Sequence, residues 1–551
     1  MRTRRTVKII PLGGLEQIGM NMTILEYGNE IIVIDCGMAF PNEDMPGIDK
    51  IIPDIKYLKN NIKKVKGLFL THGHEDHIGA IPYVIRELNI PIYGTRLTIE
   101  LLRDKLSKAG LYSVDKNVVE FGSTISFTNF KIEYVKTNHS IQDAAALAIK
   151  TPQGTILHTG DFKIDYTPVF GDRINLSRFA ELGSEGVLAV LSDSTNATKS
   201  GFTMSESIIG EKFNTIFANH TNNRIIIGTY SSNVDRVQQI INSAYKFNRK
   251  VAIDGRSMKN TITIASQLGY IDIPEGTLVE IEDVTLYPES KMVIVATGSQ
   301  GESMASLSRM STGEHRYIQI HDKDLVILSA TPIPGNEKAV SNVISRLSER
   351  HAEIIMHNTH VSGHACQEEL KLIYSLLEPK YVIPIHGDYR QRYAAKIIAE
   401  QIGIKNENAI MLKDGDILSI SNEEARIIGS VPHEKIMIDM LGAKDIDGKA
   451  LKDRQKLSNG GIVIISLTIN PKTGKWSQNP AVTSFGLSRS EISSKLFYEL
   501  REELRKNLKK YEGCEEKDYK IVRNKINYLM ESFIHTKTRL NTIVFTTINE
   551  I

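Results

Sequence analysis

Seven consecutive residues, Thr71-His72-Gly73-His74-Glu75-Asp76-His77, put four metal-ligating side chains (His72, His74, Asp76, His77) on one short loop. Imidazole and carboxylate together suit zinc or manganese, and ligands clustered on one loop lower the entropy of assembling a site. The chain has only 15 histidines in 551 residues, so three this close by accident would be a rare event. One loop cannot fill two coordination spheres, so further donors must come from elsewhere. Sites on α/β folds gather at the carboxyl edge of the sheet, which points to residues that end strands. Asp35 ends IIVID, His139 follows FKIEYVKTN, Asp161 ends TILHTGD and His386 ends YVIPIH. Taken singly, each reads as a structural or surface residue. As a set in one topological position they support one another.

The elements that must carry these residues are legible as apolar runs separated by polar turns. VKIIPL from Val7, IIVIDCG from Ile31, KGLFLTHGH from Lys66, TILHTGDF from Thr155 and GVLAVLSDS from Gly186 read as buried strands. After His77, the residues Ile78, Ile81, Val84, Ile85 and Leu88 share one helical face, with Pro82 in the first turn, where its missing N–H is tolerated. From about Gly201 to Arg350, strand-like runs (RIIIGTYSSN, KVAIDG, MVIVATGSQG, DLVILSATPIPG) and helical patterns such as VDRVQQIINSAYKF predict a second, parallel α/β set. The charged, glycine-containing LGAKDIDGKALKDRQKLSNGG reads as a linker. Beyond it, GIVIISLTI, two helical patterns and NTIVFTTI predict a small α/β domain. One of its helices has Ile492, Leu496, Phe497, Leu500, Leu504 and Leu508 on one face. Arg501, Arg505, Lys506, Lys509 and Lys510 on its other faces read first as a solvated surface and second as an RNA or partner surface.

Composition sets the outer bounds. The length argues for two to four domains, and 41% hydrophobic residues suffice for their cores. The 67 basic and 65 acidic residues give a net charge of +2, which excludes a histone-like polycation and an acidic tail protein. Nucleic-acid binding stays open, because it depends on where the basic residues sit. Three cysteines, far apart and odd in number, exclude a disulfide framework and a cysteine-only zinc site. MRTRRTVKII has no apolar stretch of signal-peptide length, and no run of apolar residues is long enough to span a membrane. The expectation is a soluble, cytoplasmic protein with no fixed-period repeat.

The donor pattern resembles the metallo-β-lactamase superfold, whose metal loop reads H-x-H-x-D-H, as at His72, His74, Asp76 and His77. LSDSTNA (Leu191 to Ala197), ATGSQGE (Ala296 to Glu302), HVSGHA (His360 to Ala365) and PIHGDYR (Pro384 to Arg390) narrow the likeness to the β-CASP nucleases. GGLEQIGMN, THGHEDHIGA, HTGDFKID, TPIPGN and QEELKL narrow it further, to the bacterial ribonuclease J family. The likeness covers residues 7 to 430, and less clearly the tail from about 460.

The resemblance implies an α/β chain: a metallo-β-lactamase αββα sandwich (1–205 and 353–442) with an inserted β-CASP domain (206–352). A linker (443–460) and a small C-terminal α/β oligomerisation domain (461–551) would follow. It implies one metal at His72, His74 and His139, a second at Asp76, His77 and His386, and Asp161 bridging them. The ions would be zinc first, with manganese or magnesium as alternatives. Asp35 would orient a ligand histidine, and His364 would contact the scissile phosphate and protonate the leaving oxygen. Ser232, Asn233, His360, Ser362, Gly363 and His364 would border the phosphates and a 5′-monophosphate pocket. The implied activity is 5′-to-3′ exonuclease and endonuclease action on single-stranded RNA, in mRNA decay and rRNA maturation. The implied assembly is a homodimer or homotetramer, or a pairing with a ribonuclease J paralogue, within an RNA-degradation complex. Gln142 stands where the family often has proline or glycine, and Ser231 where it usually has alanine. The linker lacks a GDIGN-like stretch, and the last strand lacks a proline-containing ending. Two other readings are a weakly active paralogue serving mainly as a partner subunit, and a non-nuclease hydrolase of the same fold, such as a thioesterase or lactonase.

Overall fold

The computed structural model describes residues 6–42, 44–298, 305–332, 336–356, 359–439, 442, 448–477, 479–487, 494–513 and 518–551. Ser299 to Glu302 of ATGSQGE, Ile333 to Gly335 of TPIPGN, Ile492 and Cys514 lie outside them. Residues 1–39 with 52–435 form one compact unit, and 40–51 with 436–551 a second.

In the first unit, two sheets pack face to face. One has eight strands, with Val7–Gly13, Met22–Tyr27, Glu30–Ile34 and Val65–Phe69 at its centre. The other has six, in the order Tyr381–Ile385, Val187–Asp193, Gly154–His158, Ala145–Thr151, Lys131–Lys136 and Thr124–Ser126. Between them Ile9, Leu25, Ile32 and Phe69 meet Tyr134, Leu147, Ile156, Leu191 and Ile383 in one apolar cluster. The helices Leu176–Glu185, Gln367–Leu377 and Tyr389–Gln401 cover the far side of the six-stranded sheet with Phe179, Leu370, Ile373 and Ile398. Strands buried on both sides need near-continuous apolar sequence, which is why the runs were visible in the sequence. Each expected strand forms: Val7–Gly13, Glu30–Ile34, Val65–Phe69, Gly154–His158 and Val187–Asp193. The helix after His77 is a short turn, Glu75–Ile78, followed by Ile81–Leu88.

The insert is a six-stranded parallel sheet centred on Arg224–Gly228 and Met292–Ala296, with helices including Val234–Lys246 packed on it. It enters after Val187–Asp193 and returns before Tyr381–Ile385. Those two strands are parallel neighbours, with Asp193 opposite Ile385.

Insert and sandwich meet through polar groups. Gln142 Nε2 donates to Asp235 Oδ1 (2.5 Å) and the Tyr270 hydroxyl donates to Asp143. Within the insert, Arg236 Nε donates to Glu206 (2.5 Å). Burial first, and then the Glu206 carboxylate, push the Asp235 carboxyl up to about 7. The unfolded chain ionises there near pH 4, at about the ordinary aspartate value. The native state therefore keeps a proton that the unfolded state releases, and stability from this group is lost as pH rises from about 4 to about 7. Asp235→Asn, which cannot ionise, is expected to raise Tm at pH 8 by at least about 2 °C, and by much less at pH 4.5. Thermal melts followed by circular dichroism test this; equal shifts at both pH values would remove ionisation as the cause.

The second unit differs from the sequence expectation twice. Strand Ile48–Ile52 pairs with Ile436–Asp439, so residues 40–51 group with the C-terminal unit and not with the sandwich assigned to 1–205. A short edge pairing between distant segments leaves no periodic signal. The expected linker 443–460 contains a helix, Gly448–Gly460. Its glycines and charges suggested a loop, yet Lys449 to Leu457 holds mostly strong helix formers. Arg454 donates to the Gly47 carbonyl (3.1 Å) and Gln455 to that of Asp44 (2.6 Å), which ties this helix to its own unit. Beyond it, the sheet of Ile462–Asn470, Ala481–Phe485 and Ile543–Glu550 packs on Leu500, Leu504, Ile526 and Met530 of two helices. Among the described residues, no helix is long and apolar enough to cross a membrane.

Candidate metal centre

Asp35 and His386 each follow the last residue of a strand, and each takes a left-handed backbone (φ 57° and 50°). Such conformations cost energy in non-glycine residues and concentrate at functional sites. Here they end two strands abruptly and turn both side chains into the same buried space.

The donor atoms converge in two groups. Those of His72, His74 and His139 lie within 4.8 Å of one another, and so do those of Asp76, His77, Asp161 and His386. His74 Nδ1 is 3.1 Å from both His72 Nε2 and His139 Nε2. Asp161 Oδ2 is 3.2 Å from His77 Nε2 and 3.8 Å from His72 Nε2, so this carboxylate lies between the groups.

Hydrogen bonds behind the donors select their tautomers. The Thr71 hydroxyl donates to Asp35 Oδ2 (2.8 Å), so it accepts from His72 Nδ1–H (3.0 Å) and leaves Nε2 with a lone pair. His77 Nδ1–H donates to the same carboxylate oxygen (2.7 Å). His139 Nδ1–H donates to the Gly363 carbonyl (2.7 Å). Partners of this kind fix ring orientation and raise ligand basicity. Asp35, placed in the catalytic set on sequence grounds, is thus a positioning residue that orients His77 directly and His72 through Thr71. A methyl group at Gly363 would stand 2.6 Å from His139 Nδ1, so only glycine permits this approach.

The electrostatics fit a divalent pair. Burial, reinforced by neighbouring histidines, lowers His72 and His139 well below the ordinary imidazole value, and burial takes His74 to about 4. All three are therefore held in the neutral form, the form in which an imidazole can bind a metal. At His386 burial opposes charge, but Asp161 and then Asp76 outweigh it and push the group up to about 10. His77 is raised by the same opposition of burial and Asp161. Protons there balance the carboxylates, which is the work a cation does in a His/Asp site. His386 Nε2 is also buried with no hydrogen-bond partner. Open-coordination sites of this donor chemistry suit zinc, with manganese also compatible.

His364 stands beside both groups, its ring centroid 4.9 Å from that of His139 and 5.5 Å from that of His386. Its Nδ1–H donates to Asp193 Oδ2 (2.8 Å), whose other oxygen accepts from the Thr195 N–H (2.9 Å) and hydroxyl (2.8 Å). Burial opposes the imidazolium, but Asp193 outweighs it and raises His364 above its ordinary value. Asp161, Asp193, His364 and His386 also place one atom each within 4.8 Å. Sequence reasoning quoted the LSDSTNA motif but gave Asp193 no role. It ends an apolar strand just as Asp35 does, and the same rule would have found it.

The expected phosphate-binding residues divide. Ser362 accepts from Asn196 Nδ2 (2.8 Å) and sits beside His364. His360 bonds the Thr331 hydroxyl (2.9 Å) and is lowered to about 3, first by burial and then by Arg236. Ser232 is partly exposed, whereas Asn233 is buried. Asn233 caps Val234–Lys246, its Oδ1 accepting from the Arg236 N–H (3.0 Å), while its Nδ2 is buried without a partner. The cap role was not foreseen, although Asn before a helical pattern is its usual sign.

Family models match the chain piecewise: the metallo-beta-lactamase superfamily over residues 18–196 and the ribonuclease J beta-CASP domain over 222–347. A Zn-dependent metallo-hydrolase RNA specificity domain matches 349–409, and the ribonuclease J C-terminal domain matches 449–551. Ribonuclease J of Helicobacter pylori is 42% identical over 88% of this chain and 71% of its own length. Ribonuclease J 1 of Streptococcus pyogenes is 39% identical over 98% and 96%, and Ribonuclease J2 of Bacillus subtilis 35% identical over the whole of both. The chain belongs to the ribonuclease J family. As a ribonuclease J family member it is a metal-dependent ribonuclease of the hydrolase class, and the buried His/Asp groups provide for divalent metal binding. A crystal structure of a protein of unknown function from Enterococcus faecalis shares the fold, with TM-score 0.55 and 18% identity over 76% of this chain and all of that one.

Proposed function

We propose that this chain hydrolyses single-stranded RNA from a 5′-monophosphorylated end towards the 3′ end and also cuts internally, in the cytoplasm, in mRNA decay and rRNA maturation. The observation that carries the reading is the placement of His364. It is held through Nδ1 by Asp193 beside both donor groups, which leaves Nε2 as the nitrogen available to a phosphate. In this reading His72, His74 and His139 would hold one ion and Asp76, His77 and His386 a second, with Asp161, which lies between the groups, serving both. Zinc is the first choice, with manganese or magnesium as alternatives. When bound, such a pair supplies a water deprotonated near neutral pH and positive charge for the phosphoryl oxygens.

The chain's own residues do the rest. Asp35 and Thr71 engage the Nδ1–H groups of His77 and His72 and so turn each Nε2 towards the ion. His364 passes a proton from Nε2 to the departing oxygen, and Asp193 keeps it charged enough to do so. Ser362, Gly363, Ser232 and His360 border the terminal phosphate. Asn233 Nδ2, which has no partner while Oδ1 caps the helix, supplies a further N–H donor there. A terminal-phosphate pocket sets the first linkage against the metals, so nucleotides leave one at a time.

RNA carrying 5′-hydroxyl or 5′-triphosphate ends is therefore expected to be degraded from the end at least about tenfold more slowly than monophosphorylated RNA. Product ladders from end-labelled RNA measure this, and equal rates would remove the pocket. A second reading, a weakly active partner subunit, draws on the full-length likeness to a relative named Ribonuclease J2. The complete donor set favours the active enzyme. The C-terminal unit is assigned to self-assembly as a dimer or tetramer, or to pairing with a paralogue, within an RNA-degradation complex. A pure protein inactive on monophosphorylated RNA with manganese would favour the partner role.

A further inference from the structure

The loop that carries His139 joins the strands Lys131–Lys136 and Ala145–Thr151 and is held from several sides. Within the sandwich, Thr95 Oγ1 donates to the Asp143 carbonyl (2.8 Å) and the Leu97 N–H to its carboxylate (3.1 Å). His139 and Asn138 are also held there, by the Gly363 carbonyl (2.7 Å) and the Lys163 N–H (2.7 Å), and two further bonds come from the insert. Gln142 Nε2 donates to Asp235 Oδ1 (2.5 Å), in the first turn of Val234–Lys246, and the Tyr270 hydroxyl donates to Asp143 Oδ2. Gln142 and Asp235 are each 8% exposed and Asp143 is 9% exposed, so these bonds are made away from bulk water, where a lost partner is costly. Asp143 is held in a left-handed conformation (φ 60°), which its surroundings must maintain. Behind the loop is a cavity of about 40 Å³, lined by His139, Gln142, Asp143, Lys163, Asp235 and Tyr270 among others. Gln142 Oε1 is buried without a partner. The loop thus has room to shift if the insert lets go.

We propose that the β-CASP insert clamps the His139 loop through Gln142–Asp235 and Asp143–Tyr270, so that filling of the His72/His74/His139 site depends on the insert being seated. The inference rests on His139 being a metal ligand. The physical basis is that a ligand three residues from a buried anchor moves with that anchor, and ligand geometry within a few tenths of an ångström sets metal affinity. Proline or glycine at position 142 would offer no side-chain N–H to Asp235, so this half of the clamp depends on the glutamine found here. Coupling between two events is reciprocal, so metal binding also seats the insert.

The test is manganese binding to the full chain, by calorimetry and by metal analysis after dialysis, without RNA. Gln142→Leu/Tyr270→Phe is expected to weaken one of the two ions by about tenfold or more. Asp235→Asn, which keeps an oxygen for Gln142, is expected to hold both ions as the unaltered chain does, whereas Asp235→Ala weakens one. Tyr270→Phe alone, which deletes one oxygen, shows the same direction of change should the double variant fail to fold. Hydrogen exchange in Val234–Lys246 slows on adding manganese to the unaltered chain and not to the double variant. His139→Ala separates the two ideas. If it still binds two ions, the ligand assignment falls; if it loses one while the double variant and Tyr270→Phe bind manganese with unaltered affinity, the clamp falls.

Discussion

Asp161→Ala is expected to leave a folded chain that cuts RNA more than roughly a thousandfold more slowly. The size of the effect follows from position. Asp161 is 3% exposed, bonds His386 Nδ1 (2.5 Å), and reaches His77, His72 and His139 at 3.2, 3.8 and 3.9 Å. Among the described residues, no other carboxylate lies within 4 Å of imidazole nitrogens from both donor groups. Burial raises its proton affinity, but His386 and then His77 outweigh it and hold the group well below the usual carboxylate range. Its charge is therefore present at any pH at which the enzyme works. Removing it takes away the counter-charge that lies between the two donor groups, although Asp35 and Asp76 still face His77 and His386, so metal analysis should show fewer than two ions per chain. Turnover within tenfold of the unaltered enzyme would refute the bridging role.

His364→Ala should lower kcat by roughly 100- to 10,000-fold while metal content stays normal. The discriminating substrate is an aryl phosphodiester such as bis(p-nitrophenyl) phosphate. Its leaving oxygen needs no proton, so a variant lacking only the general acid recovers most of its activity there. Asp161→Ala should fail on both substrates. An equal loss on RNA and on the aryl ester would assign His364 to phosphate binding and take away the proton-transfer role. Asp193→Asn should show the same substrate-dependent defect in milder form, because it weakens the bond that keeps His364 charged.

How much of this was legible beforehand depends on what each feature requires. A ligand at the end of a buried strand leaves two marks, an apolar run and a chemically able residue after it, so His72, Asp161, His139 and His386 could be found together. The family likeness supplied their grouping into two sites, which spacing alone does not contain. Asp193 carried the same two marks and was passed over because its motif had no assigned role. Other features leave no local mark. Gln142 meets Asp235 across the insert boundary, and no pattern in either segment announces the other. Likewise the pairing of Ile48–Ile52 with Ile436–Asp439 is a short edge contact without periodicity. The helix Gly448–Gly460 was hidden for a different reason: solvent-exposed helices of charged residues and loops of charged residues share a composition.

The parallel pairing of Val187–Asp193 with Tyr381–Ile385 also sets a schedule. A chain leaves the ribosome amino end first. The loop from His72 to His77, then His139 and Asp161, are therefore made long before the strand that delivers His386, and His364 follows the whole insert. A half-made chain displays most of the imidazoles yet lacks His386 of the second donor group and His364, the acid of the proposed mechanism. On the proposed roles, cutting of RNA, including the message being translated, would be withheld until Tyr381–Ile385 has taken its edge position beside Val187–Asp193.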